Sequence, residues 1–181
     1  MALHWIVGIA VIGTWLIGYY MASTRTRSLW PWHKSVGMVL LALILVRVAW
    51  RLRNGWLQPV SVYSQIEQRL AKLVHWTLLT AIVVMPLSGI ASSYAGGFEI
   101  SVFGWQIIPE NVNHAVINLS PTGRVRVTPR SEALHDFFGA MHTVVAWVLT
   151  AAVLLHVTGA LKHHLVDKDG TLRRMLGANV E

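Results

Sequence analysis

The stretch LHDFFGAMHTVVAWVLTAAVLLHVTGALKHH, residues 134–164, decides the fold of this chain. It is apolar for most of its length, and it carries His142 and His156 fourteen residues apart. Fourteen helical residues rise roughly 21 Å and turn about 1400°, within about 40° of a whole number of turns. Both imidazoles therefore leave one face of a helix at different depths. A histidine inside a membrane span is a functional hypothesis by default, because its polar ring needs a partner there.

The composition places the whole chain in a lipid bilayer. Of its 181 residues 54% are apolar and 13% are charged, and the mean hydropathy is +0.51, which excludes an ordinary soluble domain. We expect an all-α membrane protein, a four-transmembrane-helix up-down bundle that forms one domain over residues 1–181, and no nucleic-acid partner. The spans are predicted at residues 2–22, 32–52, 69–94 and 134–164.

Two local features interrupt this pattern. Pro86 lies inside the third span, where the missing backbone hydrogen bond predicts a kink near Ile82. A long outer loop, residues 95–133, joins the third and fourth spans and exceeds the length of a compact connection. Within it, residues 115–119 and 124–128 flank a Ser-Pro-Thr-Gly turn, which predicts a β-hairpin. The loop is either an ordered outer lid or a docking surface for a partner protein.

The basic residues set the expected orientation. Nine of the fifteen lysines and arginines fall on the side that holds the second connection and the C-terminal tail. The positive-inside rule then places both termini in the cytoplasm. Tryptophans mark the two interfaces in this orientation: Trp5, Trp50, Trp56 and Trp76 the inner one, and Trp30, Trp32 and Trp105 the outer one.

Depth pairs the histidines across helices. His33 opens the second span on the outer side and lies at the depth of His142, so these two can bind one metal ion. His156 lies in the inner half of its span. It has two competitors for a partner at similar depth, His4 at the start of the first span and His75 at the start of the third.

Small residues favour His4 in this competition. A bulky planar group needs room beside its ligand, and Gly8 follows His4 by one turn, whereas Leu79 follows His75. Gly37 has the same position in the second span and is predicted to pack on a cofactor in the same way. The alternative stays open, because an alanine lies one turn before His75.

Separated imidazole pairs indicate haem rather than zinc. Zinc sites gather four ligands in one cluster, usually with cysteine or carboxylate, and the apolar runs around these histidines contain no acidic residue. Cysteine is absent from the chain, which excludes the thioether attachment of a c-type haem and cysteine-ligated iron–sulfur clusters. We therefore predict two noncovalent b haems.

Further polar residues are assigned supporting roles. Arg47 and Arg51 are candidates to pair with haem propionates, and His75 to bond a quinone or a propionate. His135, one heptad before His142, is expected to support the site from outside or to lie at the surface. His114, His163 and His164 are expected to be solvated.

Short motifs along nearly the whole chain also carry a family resemblance. They are LHW at residues 3–5, His33, VRVAWR at 46–51, His75, PLSG at 86–89, LH at 155–156, LKHH at 161–164 and DGTLRRM at 169–175. In these motifs the chain resembles the prokaryotic cytochrome b561 family. The resemblance implies a di-haem cytochrome of the bacterial inner membrane, with His4 and His156 on the inner iron and His33 and His142 on the outer one.

The resemblance also implies a function. It suggests electron transfer between a periplasmic donor, superoxide in some members, and ubiquinone, so that an enzymatic role would be that of a quinone-linked oxidoreductase. The alternative is a cytochrome b anchor subunit that passes electrons to quinone from a dehydrogenase or other periplasmic redox protein docked on residues 95–133. A histidine-lined transporter is a third class, and the lack of an intramembrane carboxylate argues against it.

Overall fold

The computed structural model describes residues 2–55, 63–112 and 127–177. Most of this chain is helical, and the only β-structure described is a short hairpin and one isolated bridge. The helices are α1 Ala2–Thr24, α2 Trp30–Asn54, α3 Gln65–Ala95, α4 Glu132–Leu165 and the short α5 Thr171–Met175. The strands β1 Ile100–Val102 and β2 Trp105–Ile108 pair antiparallel.

The four predicted spans are confirmed as helices α1 to α4, each long and apolar enough to cross a bilayer. The helices extend a few residues beyond the predicted spans because polar capping residues continue them past the apolar run. Ser64 and Glu67 form a capping box at the start of α3, and the Ser131 side chain accepts a hydrogen bond from the Leu134 N–H at the start of α4. Helix α3 runs through Pro86 without a break.

The outward faces of these helices are apolar. In every span at most 17% of the most apolar window is buried inside the protein. Large apolar side chains such as Ile9, Val46 and Leu154 are more than half exposed. A water-soluble bundle would cover such side chains, so the lipid bilayer is the solvent of this surface.

The chain alternates in direction through the bundle, which defines two ends. The "terminal end" holds the start of α1, the end of α2, the start of α3, the end of α4 and α5. The "hairpin end" holds the opposite helix ends and the β1–β2 hairpin, which packs on the start of α2. Ser35 fixes this hairpin, because its buried hydroxyl accepts from the Phe103 N–H at 2.9 Å and donates to the Pro31 carbonyl at 2.7 Å.

Helix packing is uneven. Helix α1 packs on α2, α2 on α3 and α3 along α4, while α1 and α2 approach the described α4 backbone at no more than isolated points. Val7, Leu40 and Ile44 form the buried centre between α1 and α2, with Ile82 and Val83 of α3 packed against it. A gap therefore separates α4 from α1 and α2.

The loop between α3 and α4 differs from expectation. The hairpin lies at residues 100–108, whereas the one predicted for residues 115–128 falls outside the described residues except for Val127 and Thr128. Val127 forms a bridge with Val112, and the Asn111 side chain donates to the Thr128 carbonyl at 2.8 Å. The described ends of the loop are thus tied to each other.

Candidate functional site

Four of the predicted histidines meet as two pairs across the gap beside α4. The "hairpin-end pair" is His33 with His142, whose ring centres lie 6.3 Å apart. The "terminal-end pair" is His4 with His156, at 6.2 Å. The ring planes are close to perpendicular in both, at 80° and 78°.

These separations suit one metal ion between two imidazoles. Two metal–nitrogen bonds of about 2 Å, with about 1 Å from each nitrogen to its ring centre, span roughly 6 Å. Both pairs match this span. No cluster of three or more metal-binding side chains is found among the described residues, which argues against a zinc-type site there.

His142 is held in the tautomer that a ligand needs. Its Nδ1 lies 2.8 Å from the Met85 carbonyl, which can only accept, so Nδ1 carries the proton and donates it. The Ser88 hydroxyl lies 3.1 Å from the same nitrogen and is fully buried. The Nε2 atom is left with its lone pair, and a metal-binding histidine commonly has this arrangement.

Glycines of neighbouring helices make room for both rings of the hairpin-end pair. A Cβ atom on Gly89 of α3 would lie 3.0 Å from the His142 ring, and one on Gly18 of α1 would lie 3.1 Å from the His33 ring. Sequence reasoning missed both glycines, although Gly89 belongs to the PLSG motif. Their role depends on contacts between helices that spacing along one helix does not reveal.

His33 holds a polar atom without a partner. Its buried Nδ1 has no hydrogen bond of normal geometry among the described residues, and a backbone group of Thr14 lies near the ring. A buried polar atom without a partner is costly, and native proteins retain such atoms mainly for a purpose. The orphaned atom belongs to a ring that faces His142, at the place where a cofactor is expected.

A cleft opens beside the hairpin-end pair. The space in it that a water-sized molecule can occupy is about 60 Å³, and the cleft is partly open to the outside. Residues from all four long helices line it, among them Thr14, Gly37, Pro86 and Leu149. No atom lies within 4 Å of a Cβ built on Gly37 or on Gly8, so both predicted packing glycines border open space.

His4 is held differently. The Arg47 guanidinium donates to its Nδ1 at 2.8 Å, and since a guanidinium only donates, the proton of a neutral His4 ring sits on Nε2. Binding a metal through Nε2 requires this proton to move to Nδ1 and Arg47 to turn away. Arg51 lies near Arg47 and is partly buried, so two cations gather beside the terminal-end pair.

His75 lies close to the same site. Its ring centre is 5.2 Å from that of His156, and its Nδ1 donates to the Ala71 carbonyl at 2.6 Å. This separation is about 1 Å shorter than in the two pairs across the gap. The contact crosses from α3 to α4, the two helices that pack most closely.

Two other histidines are partly buried. The sequence left the position of the first open and predicted that the second is solvated. His135 is half-buried, and its Nδ1 donates to the Ser92 carbonyl at 2.9 Å. His163 is half-buried and so only partly solvated: its ring lies 4.4 Å from the Tyr63 ring, and its Nδ1 lies 2.8 Å from the Asp167 carboxylate. His114 lies outside the described residues.

Comparison with known proteins identifies the family of the chain. The family model described as prokaryotic cytochrome b561 matches residues 1–178. The chain belongs to the prokaryotic cytochrome b561 family. It is 33% identical over 181 residues to cytochrome b561 homolog 2 of Escherichia coli (strain K12), covering 97% of this chain and 88% of that protein.

Two further relatives align over most of their length. The chain is 29% identical over 180 residues to a probable superoxide oxidase CybB of Yersinia pestis, covering 97% of this chain and 92% of that protein. It is 27% identical over 179 residues to cytochrome b561 homolog 1 of Escherichia coli (strain K12), covering 96% and 92%. The chain is therefore a multi-pass bacterial membrane cytochrome b of electron transfer.

Family membership implies b-type haem, and the hairpin-end residues fit it. Two imidazoles face each other at the expected separation, one in the ligand tautomer and one with an orphaned nitrogen. The terminal-end pair fits in separation and requires Arg47 to release His4.

Proposed function

We propose that this chain is a di-haem b cytochrome that carries electrons across the bacterial inner membrane, between a periplasmic donor and ubiquinone. The observation that carries the proposal is the pair of 6.2 and 6.3 Å imidazole separations at opposite ends of one gap. His33 and His142 would hold the hairpin-end haem, and His4 and His156 the terminal-end haem.

The choice of His4 over His75 is supported by helix packing. A macrocycle between two ligands needs the helices that carry them to stand apart. Helices α1 and α4 do so, whereas α3 and α4 are in close contact along their length. His75 then remains as a side group of the terminal-end site, where it is a candidate to bond a quinone oxygen or a propionate.

The chain's own groups would set the electronic properties of the site. A haem with two imidazole ligands supplies single-electron transfer and has no open coordination position. Met85 and Ser88 fix the His142 ring and its proton, while Arg47 and Arg51 place positive charge where propionates can pair with it.

The relative in Yersinia pestis named as a probable superoxide oxidase makes superoxide the first donor to test. Superoxide is a small anion, and the half-buried Lys34 beside the hairpin-end pair provides positive charge at that end. With both termini cytoplasmic, as the basic residues predict, the hairpin end faces the periplasm. Electrons would then run from the hairpin end to the terminal end.

Haem counting tests the ligand assignment. We expect two haems per purified wild-type chain, and one in each of the single variants His142→Ala and His156→Ala, because each removes one ligand of a different iron. A redox titration distinguishes which of the two centres is lost. Retention of two low-spin haems in either variant would overturn the pairing.

His75→Ala is the matched control for this series. It removes an imidazole from the same site as His156 but should keep both haems, with slower reduction of ubiquinone by the reduced protein. Loss of the terminal-end haem in His75→Ala would make His75 the ligand instead of His4. Unchanged quinone reduction would remove His75 from the quinone site.

An anchor subunit for a dehydrogenase is the second candidate function. It is favoured by the exposed aromatic tip of the β1–β2 hairpin, where Phe103 is 59% and Trp105 81% exposed. Such a tip could hold a partner protein at the hairpin end. A stable, stoichiometric partner that copurifies with the native chain would support the anchor over the stand-alone cytochrome.

A further inference from the structure

Helix α4 carries a longer histidine stripe than ligation requires. His135, His142, His156 and His163 all lie on one heptad register, with the buried Leu149 at its centre. Seven helical residues make about two turns and about 10 Å of rise, so His135 lies on the same side of α4 as His142, nearer the hairpin end.

His135 is fixed in the same way as the proposed ligand below it. Its Nδ1 donates to the Ser92 carbonyl, as that of His142 donates to the Met85 carbonyl. The Ser92 hydroxyl also donates to the His135 carbonyl at 3.1 Å, so one buried serine holds both parts of the residue. Nδ1 is thereby occupied, and Nε2 is the atom that can meet a further group.

The ring is also packed against Phe98 at the hairpin end. The His135 ring centre is 5.7 Å from that of Phe98, and a Cβ on Gly96 would lie 2.7 Å from Nδ1, so only glycine fits there. The ammonium group of Lys34 lies 5.4 Å from the Phe98 ring centre and donates to the Glu99 carbonyl at 3.1 Å. Phe98 thus brings together a basic group of α2 and one of α4.

His163 at the other end of the stripe has different surroundings. Its Nδ1 faces the carboxylates of Asp167 at 2.8 Å and Asp169 at 3.7 Å. These negative charges would repel another anion. The acidic neighbours of His135 on its own helix, Glu132 and Asp136, are exposed.

The geometry points to His135 and Lys34 as the groups that hold the propionate carboxylates of the hairpin-end haem. This inference rests on the proposed ligation by His33 and His142. Haem carboxylates lie at the rim of the macrocycle, so residues that hold them lie along the helix from the ligand. With haem bound, a second proton on Nε2 would let the His135 ring donate to a carboxylate oxygen, and the Lys34 ammonium would supply a charge-assisted hydrogen bond.

His135→Leu and Lys34→Met test this role in the purified full chain. A hydrogen bond to a charged group contributes about 1.5–3 kcal/mol, so each variant should release the hairpin-end haem to apomyoglobin about tenfold faster or more. The midpoint potential of that haem should fall, because positive charge near it is lost. The terminal-end haem should keep its potential and release rate, which also shows that the variant is folded.

His135→Gln and His163→Gln are the matched variants. His135→Gln keeps an N–H donor and should restore most of the haem retention. If the His135 side chain only filled space, His135→Gln would retain haem no better than His135→Leu. His163→Gln should leave the hairpin-end haem unchanged. Wild-type potential and release in His135→Leu, with haem loss in His142→Ala, would overturn this inference alone. Two haems retained in His142→Ala would overturn the ligation on which it rests.

Discussion

At the scale of single residues, glycines have the largest effect on the space around the proposed ligands. Gly18 and Gly89 contact the histidine rings themselves, whereas Gly8 and Gly37 border space that no protein atom fills. The first two therefore position side chains of this chain. The second two leave room for a group that enters from outside the chain.

Gly37→Ala separates these two roles. In the haem-free chain the added methyl group meets no atom, and alanine favours a helix over glycine by about 1 kcal/mol, so the chain should be no less stable. In the loaded protein the methyl group projects toward the cleft, and overpacking of about 1–3 kcal/mol should weaken haem retention about tenfold or more. Haem content after purification and release to apomyoglobin measure this.

Gly13→Ala is the control for that substitution. Gly13 also has no atom within 4 Å of its built Cβ, and it is not among the residues that line the cleft. It should gain the same helix stability without losing haem. Equal haem loss in both variants would show that Gly37 does not lie against the bound haem.

The candidate site was predictable from sequence only in part. Depth along each span is enough to propose His33 with His142, because rise per residue is fixed in a helix. The choice between His4 and His75 needs the distance between helices, which no single-helix pattern contains. The same holds for Ser88, Ser92 and Gly89, whose contacts arise from the packing of α3 on α4.

Helix α5 joins three elements at the terminal end. The Trp5 indole N–H of α1 donates to the Met175 carbonyl of α5 at 3.1 Å. Just before α5, the buried Asp169 carboxylate accepts from the Tyr63 hydroxyl, which precedes α3, and from the Thr171 N–H at 2.9 Å. The C-terminal segment thus closes this end of the bundle around the terminal-end pair.

Asp169→Asn should loosen this closure. Burial alone would raise the pKa of Asp169, but hydrogen bonds from Tyr63 and Thr171 and the nearby His163 hold that pKa below its usual value. The charged carboxylate therefore stabilises the fold above its unfolded pKa of about 4, and this stability is lost as pH falls through the lower folded value. We expect a loss of about 1–3 kcal/mol at neutral pH.

Thermal unfolding of both proteins between pH 3 and pH 7 checks that prediction. The difference between wild type and Asp169→Asn should shrink as the medium becomes more acidic. Asp167→Asn is the comparison, because Asp167 is more exposed and its pair with Lys162 is solvent-accessible, so its loss should cost less. A pH-independent difference for Asp169→Asn would show that its charge is not the stabilising feature.

The four spans followed from sequence to within a few residues, whereas the short helix α5 and the β-structure of the outer loop did not. Long apolar runs ended by polar turns identify the spans well, because the bilayer fixes their length. The β1–β2 hairpin was missed because its strands are only three and four residues long. Its turn has positive φ angles at Phe103 and Gly104, 49° and 88°. The glycine favours such an angle, but the phenylalanine gives no sign of it in the sequence.

At the scale of the whole molecule, charge determines orientation. The chain has a formal net charge of +7, and most of its basic residues lie at the terminal end. The positive-inside rule therefore places that end in the cytoplasm. The exposed Trp32 and Trp105 at the hairpin end suit the opposite interface.

The absence of cysteine makes this orientation directly measurable. Ser23→Cys places a thiol at the hairpin end, and Leu176→Cys places one at the terminal end, both at exposed positions. In spheroplasts a membrane-impermeant maleimide should label the first variant at once and the second only after the membrane is permeabilised. The reverse labelling pattern would invert the proposed direction of electron flow.

Uneven helix packing links this protein's abundance to the supply of its cofactor. Helix α4 carries two of the four proposed ligands, yet among the described long helices only α3 packs closely against it. A haem bound across the gap would link α4 to the other helices. It would stabilise the folded chain, because it binds the folded state and not the unfolded one. In cells short of haem, chains without the bound cofactor would unfold locally more often, so membrane proteases would degrade them first.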